Sequence, residues 1–484
     1  MAYHVELRDW RTWTGLLVVA AVLVVYGKLV WAPFVFDDHA LLVDRAITAP
    51  DGWWRVWRLE QTRPLTYFTF WLNHFLGGHH AVNLALHLAS SLLMLAVAGK
   101  LAPPLAAAAA ATVFALHPLA VEPVAYVFAR GTLLATMFCL VSLWTWLRGR
   151  HWLAVVWFAL ALLAKEECAT FPVFLALLHL SISRNRAERA PIAVMLGLAL
   201  LAGARVAVMA AVLEGSGAGA QAGIHWWDYL LTQGTVIPRY LFGLSLGIDP
   251  AVAIDTGWQG WAGWITVVSL CRYYRFREGF WFLAGIVLLL PTSSIFPAED
   301  LAAERRMYLP MIAFSILAGL LIARFGRKEA VMVCAGMLGI VSFQRTQPWM
   351  SELALWEHAL AKAPSKIRPR LQLARAAEPG RALELLKEAE SLAPEDARVP
   401  AEMGRFFLTQ GRPAEALAAF GRAVALAPRD AAAYSNRGAA LWALDLRTEA
   451  VEDFRHALQL NPCFPQAREN LLKAGLSIPP ANCP

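Results

Sequence analysis

The sequence is poor in charged residues and in cysteine. Only 16% of its 484 residues are charged, whereas 58% are hydrophobic. This composition excludes an ordinary soluble enzyme and indicates a protein that crosses a membrane several times. The six cysteines form no CxxC pair and no Cys/His cluster, so the chain lacks a zinc or redox motif. Cys463 and Cys483 could pair only in an oxidising compartment, and the sequence leaves that pairing open.

A basic face for nucleic acid is also missing. The formal net charge is +7, but most of the excess lies in short connections between apolar segments. Such a distribution indicates membrane topology and argues against DNA or RNA as a partner.

Eleven apolar segments predict membrane-crossing helices. The first follows two arginines but is longer than the apolar part of a signal peptide and contains Lys28, so we expect it to be retained. The segments are 13–35, 81–101, 104–118, 131–147, 152–164, 168–183, 190–213, 260–273, 279–293, 307–323 and 329–345.

Basic residues recur at every second connection, which the positive-inside rule places in the cytoplasm. The alternate connections then face outward, and they hold the unusual acidic and basic residues described below. This alternation requires Val236–Ile248 to be re-entrant or interfacial, because a full crossing there would reverse it. We therefore predict a transmembrane domain over residues 1–346, with a cytoplasmic N-terminus.

Residues 347–484 predict an α-helical solenoid of tetratricopeptide repeats. Five residue types recur with a period of 34 residues, from Gly404, Ala416, Phe420, Ala423 and Pro428 to Gly438, Ala450, Phe454, Ala457 and Pro462. Clear repeats span 397–430 and 431–464, and a weaker one spans 365–396. An odd number of crossings places this domain on the outward face.

Two adjacent carboxylates, Asp37 and Asp38, follow the first apolar segment directly. Neighbouring carboxylates repel each other, so one of them titrates high unless a cation compensates it. Such a carboxylate suits a general base that deprotonates a hydroxyl group. The alternative is a polar loop that caps a helix end.

Cationic residues share the outward face with this pair. Arginine holds phosphate with a planar fork, which suits the binding of a phosphate leaving group. Snorkelling to lipid headgroups is the alternative, although interleaved acids such as Glu299, Asp300 and Glu304 favour a buried network. The cations are Arg63, Arg130, Lys165, Arg305 and Arg306. Among the histidines, His80 and His87 share one helix face with Asn83 and are expected to form structural hydrogen bonds between helices.

The order of these motifs resembles the transmembrane and tetratricopeptide-repeat O-mannosyltransferases of the GT-C class and their bacterial relatives. The motifs are Phe36-Asp37-Asp38, Arg63-Pro64-Leu65-Thr66, Val82-Asn83-Leu84 to His87, His117-Pro118 with Glu122, Arg130, Ala164-Lys165-Glu166, Pro291-Thr292-Ser293-Ser294, Ala303-Glu304-Arg305 to Tyr308-Leu309-Pro310, and Leu355-Trp356. The chain departs from the family at Ala120, where a second histidine is common, and at Thr132, where an acid is common.

The resemblance implies an all-α GT-C bundle and a metal-independent transfer of sugar without a cofactor. A polyprenyl-phosphate sugar would be the donor, and an outward acidic residue would deprotonate a Ser or Thr hydroxyl in one inverting displacement. It makes Asp37 and Asp38 the catalytic candidates and Arg305 the leading phosphate ligand, followed by Arg306, Arg63, Lys165 and Arg130. A supporting polar network is expected from Glu122, Glu166, Glu304, His117 and Tyr308.

We expect a membrane glycosyltransferase that moves mannose or another hexose to a protein held by the repeats. The alternatives are transfer of sugar to a glycan or lipid, transfer of an oligosaccharide to a pilin, and a non-catalytic repeat scaffold. Arginine outnumbers lysine and alanine is abundant, which predicts a GC-rich bacterial source, a bacterial inner membrane and a periplasmic repeat domain.

Overall fold

The computed structural model describes residues 2–58, 61–182, 189–212, 224–241, 254, 257–273, 277–294, 296–298 and 300–478. All regular elements in these ranges are helices, as predicted. The chain separates into two compact units, Met1–Ser351 and Glu352–Pro484, here called the membrane unit and the repeat unit. Each is described by itself.

The membrane unit contains sixteen described α-helices and seven short 3₁₀-helices. The α-helices are α1 Ala2–Tyr26, α2 Arg45–Thr48, α3 Gly52–Arg55, α4 Pro64–Leu76, α5 His79–Leu101, α6 Pro104–Leu116, α7 Val121–Ala125, α8 Arg130–Trp146, α9 His151–Ala164, α10 Phe171–Ile182, α11 Arg189–Val212, α12 Trp226–Leu241, α13 Trp258–Tyr273, α14 Arg277–Leu289, α15 Met311–Ala323 and α16 Lys328–Thr346. The 3₁₀-helices are Gly27–Trp31, Phe36–Leu42, Pro118–Ala120, Val127–Ala129, Glu166–Cys168, Glu304–Met307 and Pro348–Met350.

Every predicted apolar segment coincides with a helix, but the eleven crossings are not confirmed. Four described helical segments are long and apolar enough to cross a membrane: Trp10–Trp31, His79–Leu101, Val127–Trp146 and Arg189–Met209. A bent pair, Pro104–Leu116 with Pro118–Ala125, forms a fifth candidate. Helices such as α9 have only 14 residues and reach about 21 Å, less than the roughly 30 Å of a bilayer core. Such helices do not span a bilayer alone.

The centre of the membrane unit is α6, which packs against α1, α5, α15 and α16. Its alanine run lets α15 approach closely, because a Cβ on Gly319 would lie 2.3 Å from the Ala106 carbonyl oxygen. Small residues permit such contacts between apolar helices. α6 ends at Leu116 and is followed by His117, whose extended backbone is the conformation favoured before a proline. The chain then bends by 45° and enters α7, the helix that organises the candidate site.

The predicted re-entrant segment Val236–Ile248 is described only in part. Residues 236–241 belong to α12, with Val236, Ile237 and Tyr240 buried. Residues 242–248 lie outside the described residues. The prediction that this segment does not cross therefore stays a prediction, as does the sidedness that depends on it.

The repeat unit is a run of short helices with the predicted period. They are α17 Glu352–Lys362, α18 Ile367–Ala376, α19 Pro379–Leu392, α20 Arg398–Thr409, α21 Pro413–Leu426, α22 Ala431–Ala443, α23 Arg447–Leu460 and α24 Pro465–Lys473. Glycine lets the helices of each pair touch, since a Cβ on Gly404 would lie 2.6 Å from the Phe420 ring and one on Gly438 2.7 Å from the Phe454 ring. Cys463 is disulfide-bonded, and Cys483 lies outside the described residues.

Candidate functional site

Asp37 and Asp38 point in different directions. Both lie in the 3₁₀-helix Phe36–Leu42, in which successive side chains are about 120° apart. Phe36, directly before them, has a φ of 51°, a left-handed conformation that is rare for a bulky residue and is enriched at functional sites. Asp38 is fully buried and Asp37 is exposed. The two carboxylates therefore lie in different environments.

Asp38 anchors the backbone. Its Oδ1 accepts a hydrogen bond of 2.7 Å from the Phe128 N–H, and its Oδ2 accepts weaker ones from Val127 and Val35 at 3.4 and 3.3 Å. Burial raises the pKa of Asp38 to about 7, although these backbone donors lower it. Asp38 thus ties the loop after α1 to the 3₁₀-helix Val127–Ala129.

Asp37 is held by a tyrosine. The hydroxyl of Tyr126 donates a hydrogen bond of 2.8 Å to Asp37 Oδ2. The Tyr126 ring is buried and lies against Phe128 and Trp349, which fixes its position. Burial raises the pKa of Tyr126, and the charges of Asp37 and Asp38 raise it further. The hydroxyl therefore stays protonated and donates to Asp37.

α7 links this carboxylate to the cationic residues. Glu122, on α7, lies four residues before Tyr126, about one helical turn or roughly 6 Å along the axis. Glu122 Oε1 accepts a hydrogen bond of 2.6 Å from Arg305 Nη1, and its Oε2 accepts one from the Arg305 N–H at 3.2 Å. One short helix therefore supports both the partner of Asp37 and the partner of Arg305.

Arg305 is already paired with acids. It contacts Glu122 and, at 3.1 Å, Asp300. Burial would lower the pKa of Arg305, but these two carboxylates raise it above its ordinary value, so the guanidinium stays charged. A phosphate at Arg305 would compete with both carboxylates.

Arg306 differs from Arg305 in its partners. Its Nη1 donates to the Tyr229 hydroxyl at 2.9 Å and to the Leu301 carbonyl at 3.3 Å, and its Nη2 donates to the Asp300 carbonyl. Within the described ranges no carboxylate lies within ion-pair distance of Arg306. Its positive charge, half-buried, is therefore available to an anion.

The remaining predicted cations are engaged in the structure. Arg63 forms a bidentate pair with Glu166 at 2.5 and 3.0 Å. Burial would raise the pKa of Glu166, but the Arg63 guanidinium holds it at about 2. Lys165 contacts Glu167 at 2.7 Å and donates to the Thr132 hydroxyl at 2.6 Å. These contacts join α4, α8 and the segment after α9.

Arg130 is buried inside the helix bundle. Its guanidinium donates to Asn83 Oδ1 at 2.9 Å and to the carbonyls of Thr69 and His79 at 3.2 and 3.0 Å. It also lies over the Phe70 ring, at 4.5 Å from the centroid. Because its donors are used and its surface is inaccessible, Arg130 joins helices in this structure and does not present itself to a phosphate.

The predicted supporting residues are of two kinds: acids that pair with arginines, and His117 and Tyr308, which form other hydrogen bonds. Glu122 and Glu166 bind site arginines, and Glu304 pairs with Arg345 of α16. His117 accepts a hydrogen bond from the Leu119 N–H. Tyr308 lies 2.7 Å from His87 Nδ1, and His87 Nε2 lies 3.0 Å from the Ala115 carbonyl. His87 and Tyr308 thus hold helices together, as expected for the histidines.

Three residues of this site were not predicted from the sequence: Tyr126, Tyr229 and Arg345. Their side chains meet partners 89, 77 and 41 residues away. One feature of the sequence could have pointed to Tyr126 as a site residue: it lies four residues after Glu122, in a segment whose other residues are all apolar. Glu299, which was predicted to join the acidic cluster, lies outside the described residues.

The raised pKa of Asp38 predicts a pH dependence of stability. An unfolded Asp38 has its ordinary pKa near 3.8 and the folded one near 7, so the native state binds more protons between about pH 4 and pH 7. Stability should therefore fall as pH rises through this window, by up to roughly 4 kcal/mol from this group. Thermal unfolding in detergent across the window should show a shallower fall for Asp38→Asn than for the unmodified chain.

The control is Asp51→Asn, since Asp51 is exposed and pairs with its neighbour Arg55. It should keep the pH dependence of the unmodified chain. Equal slopes for Asp38→Asn and the unmodified chain would contradict the burial of an Asp38 that titrates near neutrality.

Comparisons with known proteins match the repeats and find relatives of the chain. Family models described as tetratricopeptide repeat match residues 373–440 and 431–462. Protein O-mannosyl-transferase F38B6.6 of Caenorhabditis elegans is 26% identical over 411 residues, which are 73% of this chain and 58% of that protein. Human protein O-mannosyl-transferase TMTC4 is 32% identical over 164 residues, which are 27% of this chain and 22% of that protein.

The chain thus has homologues named as TMTC-family protein O-mannosyl-transferases, and the resemblance seen in the sequence is confirmed. The chain spans less than two thirds of the length of these relatives. Crystal structures of yeast Tom70 and of the APC/C hetero-tetramer Cut9-Hcn1 match with TM-scores of 0.27 and 0.28 at 14% identity, over 76% and 86% of this chain and 85% and 90% of those chains. Similarity at that level carries no argument about this fold.

Proposed function

We propose that this chain is an integral membrane glycosyltransferase of the GT-C class. It transfers mannose or another hexose from a polyprenyl-phosphate donor to a Ser or Thr hydroxyl of a protein. The names of its homologues support the transfer of a sugar to protein. Four helices fit for crossing a membrane support a lipid-linked donor, since such a donor enters from the bilayer.

One observation carries the proposal: a single short helix, α7, supports an exposed carboxylate and an arginine pair. Tyr126 holds Asp37, and Glu122, one turn earlier, holds Arg305 beside Arg306. A glycosyl transfer from a lipid phosphate needs a base for the acceptor and positive charge for the leaving group. This arrangement offers both.

In the proposed reaction, Asp37 accepts the proton of the acceptor hydroxyl as its oxygen attacks the anomeric carbon. The bond between that carbon and the phosphate oxygen breaks on the opposite face, so the anomeric configuration inverts. The electron pair of the broken bond stays on the polyprenyl phosphate. Tyr126 orients Asp37, and its protonated hydroxyl stabilises the carboxylate form of the base.

Arg306 replaces Arg305 as the leading phosphate ligand. Arg305 is neutralised by Glu122 and Asp300, whereas Arg306 donates only to neutral oxygens among the described residues. A phosphate at Arg306 would gain a charge-assisted hydrogen bond without displacing a carboxylate. Arg305, Arg63 and Lys165 are each paired with a carboxylate and then have a supporting role. We propose that the reaction needs neither a metal nor a cofactor.

The repeat unit is proposed to lie outside the cytoplasm and to hold the acceptor polypeptide. A disulfide at Cys463 suits an oxidising compartment such as the periplasm. Tetratricopeptide repeats form surfaces suited to extended protein segments. The arginine-rich, alanine-rich composition supports a bacterial inner membrane as the location.

Purified full-length protein in detergent tests the proposal directly. Incubated with polyprenyl-phosphate mannose and a Ser/Thr-containing peptide, it should yield a mannosylated peptide of inverted anomeric configuration. Matched peptides with alanine at every Ser and Thr should stay unmodified. Transfer of the label only to a lipid or a glycan, with the peptide untouched, would contradict a protein acceptor.

A further inference from the structure

A cavity of about 270 Å³ lies inside the repeat unit, between α18, α19 and α20. Its walls are partly apolar, with Leu371, Leu386 and Phe406 among the lining residues. Two arginines and one glutamate, Arg375, Arg405 and Glu402, also line it. A partly apolar cavity with a few convergent charged groups has the character of a binding site.

The two arginines share the one carboxylate. Arg375 Nε donates to Glu402 Oε2 at 3.0 Å, and Arg375 Nη2 and Arg405 Nη2 both donate to Glu402 Oε1. Glu402 is buried, with 9% of its side chain exposed, whereas 45% of Arg375 and 48% of Arg405 are exposed. The guanidinium groups therefore keep surface that can contact a ligand.

The charge of the lining is unbalanced. Two positive charges face one negative charge, in contrast with Arg437 and Asp453, which pair one to one in the next repeat. Glu352 also acts on Arg375 but does not line the cavity. Burial and the charge of Arg375 lower the pKa of Arg405 to about 10. The two arginines thus repel each other, and Glu402 neutralises only one of their two charges.

We propose that this cavity binds a carboxylate of an acidic polypeptide segment, the side chain of an Asp or Glu of the acceptor. The bidentate geometry of guanidinium suits a planar carboxylate, and the apolar walls suit the methylene groups beside it. This assignment rests on the proposed function only in calling the polypeptide the acceptor. Binding itself requires neither the donor nor the catalytic carboxylate.

Equilibrium binding of fluorescent peptides to the purified full-length protein, without donor, tests this assignment. The probes are a Ser/Thr peptide containing Glu and a matched peptide in which Gln replaces each Glu. We expect the acidic peptide to bind at least tenfold more tightly. Arg405→Gln should weaken its binding by about tenfold, the loss of one charge-assisted contact.

Glu402→Gln gives an effect of opposite sign. It removes the negative charge that competes with the ligand, so the acidic peptide should bind several-fold more tightly. Arg412→Gln is the matched control, because Arg412 is exposed, pairs with Glu415 and does not line the cavity. It should bind like the unmodified chain. A variant that tightens binding cannot be explained by unfolding of the repeat unit.

Several outcomes would overturn the assignment. One is equal affinity of the two peptides, and another is unchanged affinity in both Arg405→Gln and Glu402→Gln. Loss of binding to phosphatidylglycerol vesicles in Arg405→Gln, without discrimination between the peptides, would assign the cavity to lipid headgroups instead. Asp37→Asn should abolish transfer and keep peptide binding, so failure of this assignment and failure of the proposed function are distinguishable.

Discussion

Replacing Asp37 by asparagine is expected to lower kcat for sugar transfer to a peptide by about 10²–10⁴-fold, the usual contribution of a general base. Asparagine keeps the size of the side chain and a hydrogen-bond acceptor for Tyr126, so the fold should be retained. It cannot accept the proton of the acceptor hydroxyl. The KM for the donor should change little, because the phosphate contacts lie on other residues.

The measurement is steady-state transfer by purified protein, with unfolding temperature as the check on folding. Asp51→Asn is the matched control, since Asp51 is an exposed carboxylate that pairs with Arg55. It should keep full turnover. Activity of Asp37→Asn within threefold of the unmodified chain would remove Asp37 as the base.

Replacing Arg306 by glutamine is expected to lower kcat/KM for the donor by about 10²–10³-fold, the effect of losing one preorganised donor to a developing charge. Glutamine can still contact Tyr229 and Leu301 but carries no charge. Because Arg306 forms no ion pair with a described carboxylate, its removal leaves no described acid unpaired. The unfolding temperature should therefore stay close to that of the unmodified chain.

Arg305→Gln provides the contrast. This substitution removes the cationic partner of Glu122, which is 4% exposed. Removing one partner of a buried ion pair typically lowers the free energy of unfolding by about 3–5 kcal/mol. We expect this variant to lose stability as well as activity. The assignment of the phosphate to Arg306 would be wrong if Arg306→Gln kept its kcat/KM while Arg305→Gln lost it without any loss of stability.

Local patterns predicted much of the fold. Each apolar segment is a helix, and the 34-residue period predicted the repeat helices. The number of membrane crossings could not be predicted from these patterns, because apolar composition alone does not distinguish a spanning helix from a short buried one. α9 shows this: its residues are apolar enough for lipid, but it is too short to cross.

The candidate site was predictable in its residue types and less so in its roles. Asp37 and Asp38 were both catalytic candidates in the sequence, and only the structure shows that Asp37 is exposed and Asp38 is a buried anchor. Arg130, like Arg306, was a candidate for phosphate binding in the sequence. In the structure its guanidinium is enclosed by carbonyl groups. Burial and pairing of this kind depend on residues far apart in the chain.

The most direct measurement is a cryo-EM structure of Asp37→Asn in lipid nanodiscs with polyprenyl-phosphate mannose and a Ser/Thr peptide. We predict density for the donor phosphate in hydrogen-bond contact with Arg306 and the acceptor hydroxyl in contact with residue 37, with the anomeric carbon between them. A phosphate bound away from Arg306, or a sugar out of reach of residue 37, would contradict the proposed site.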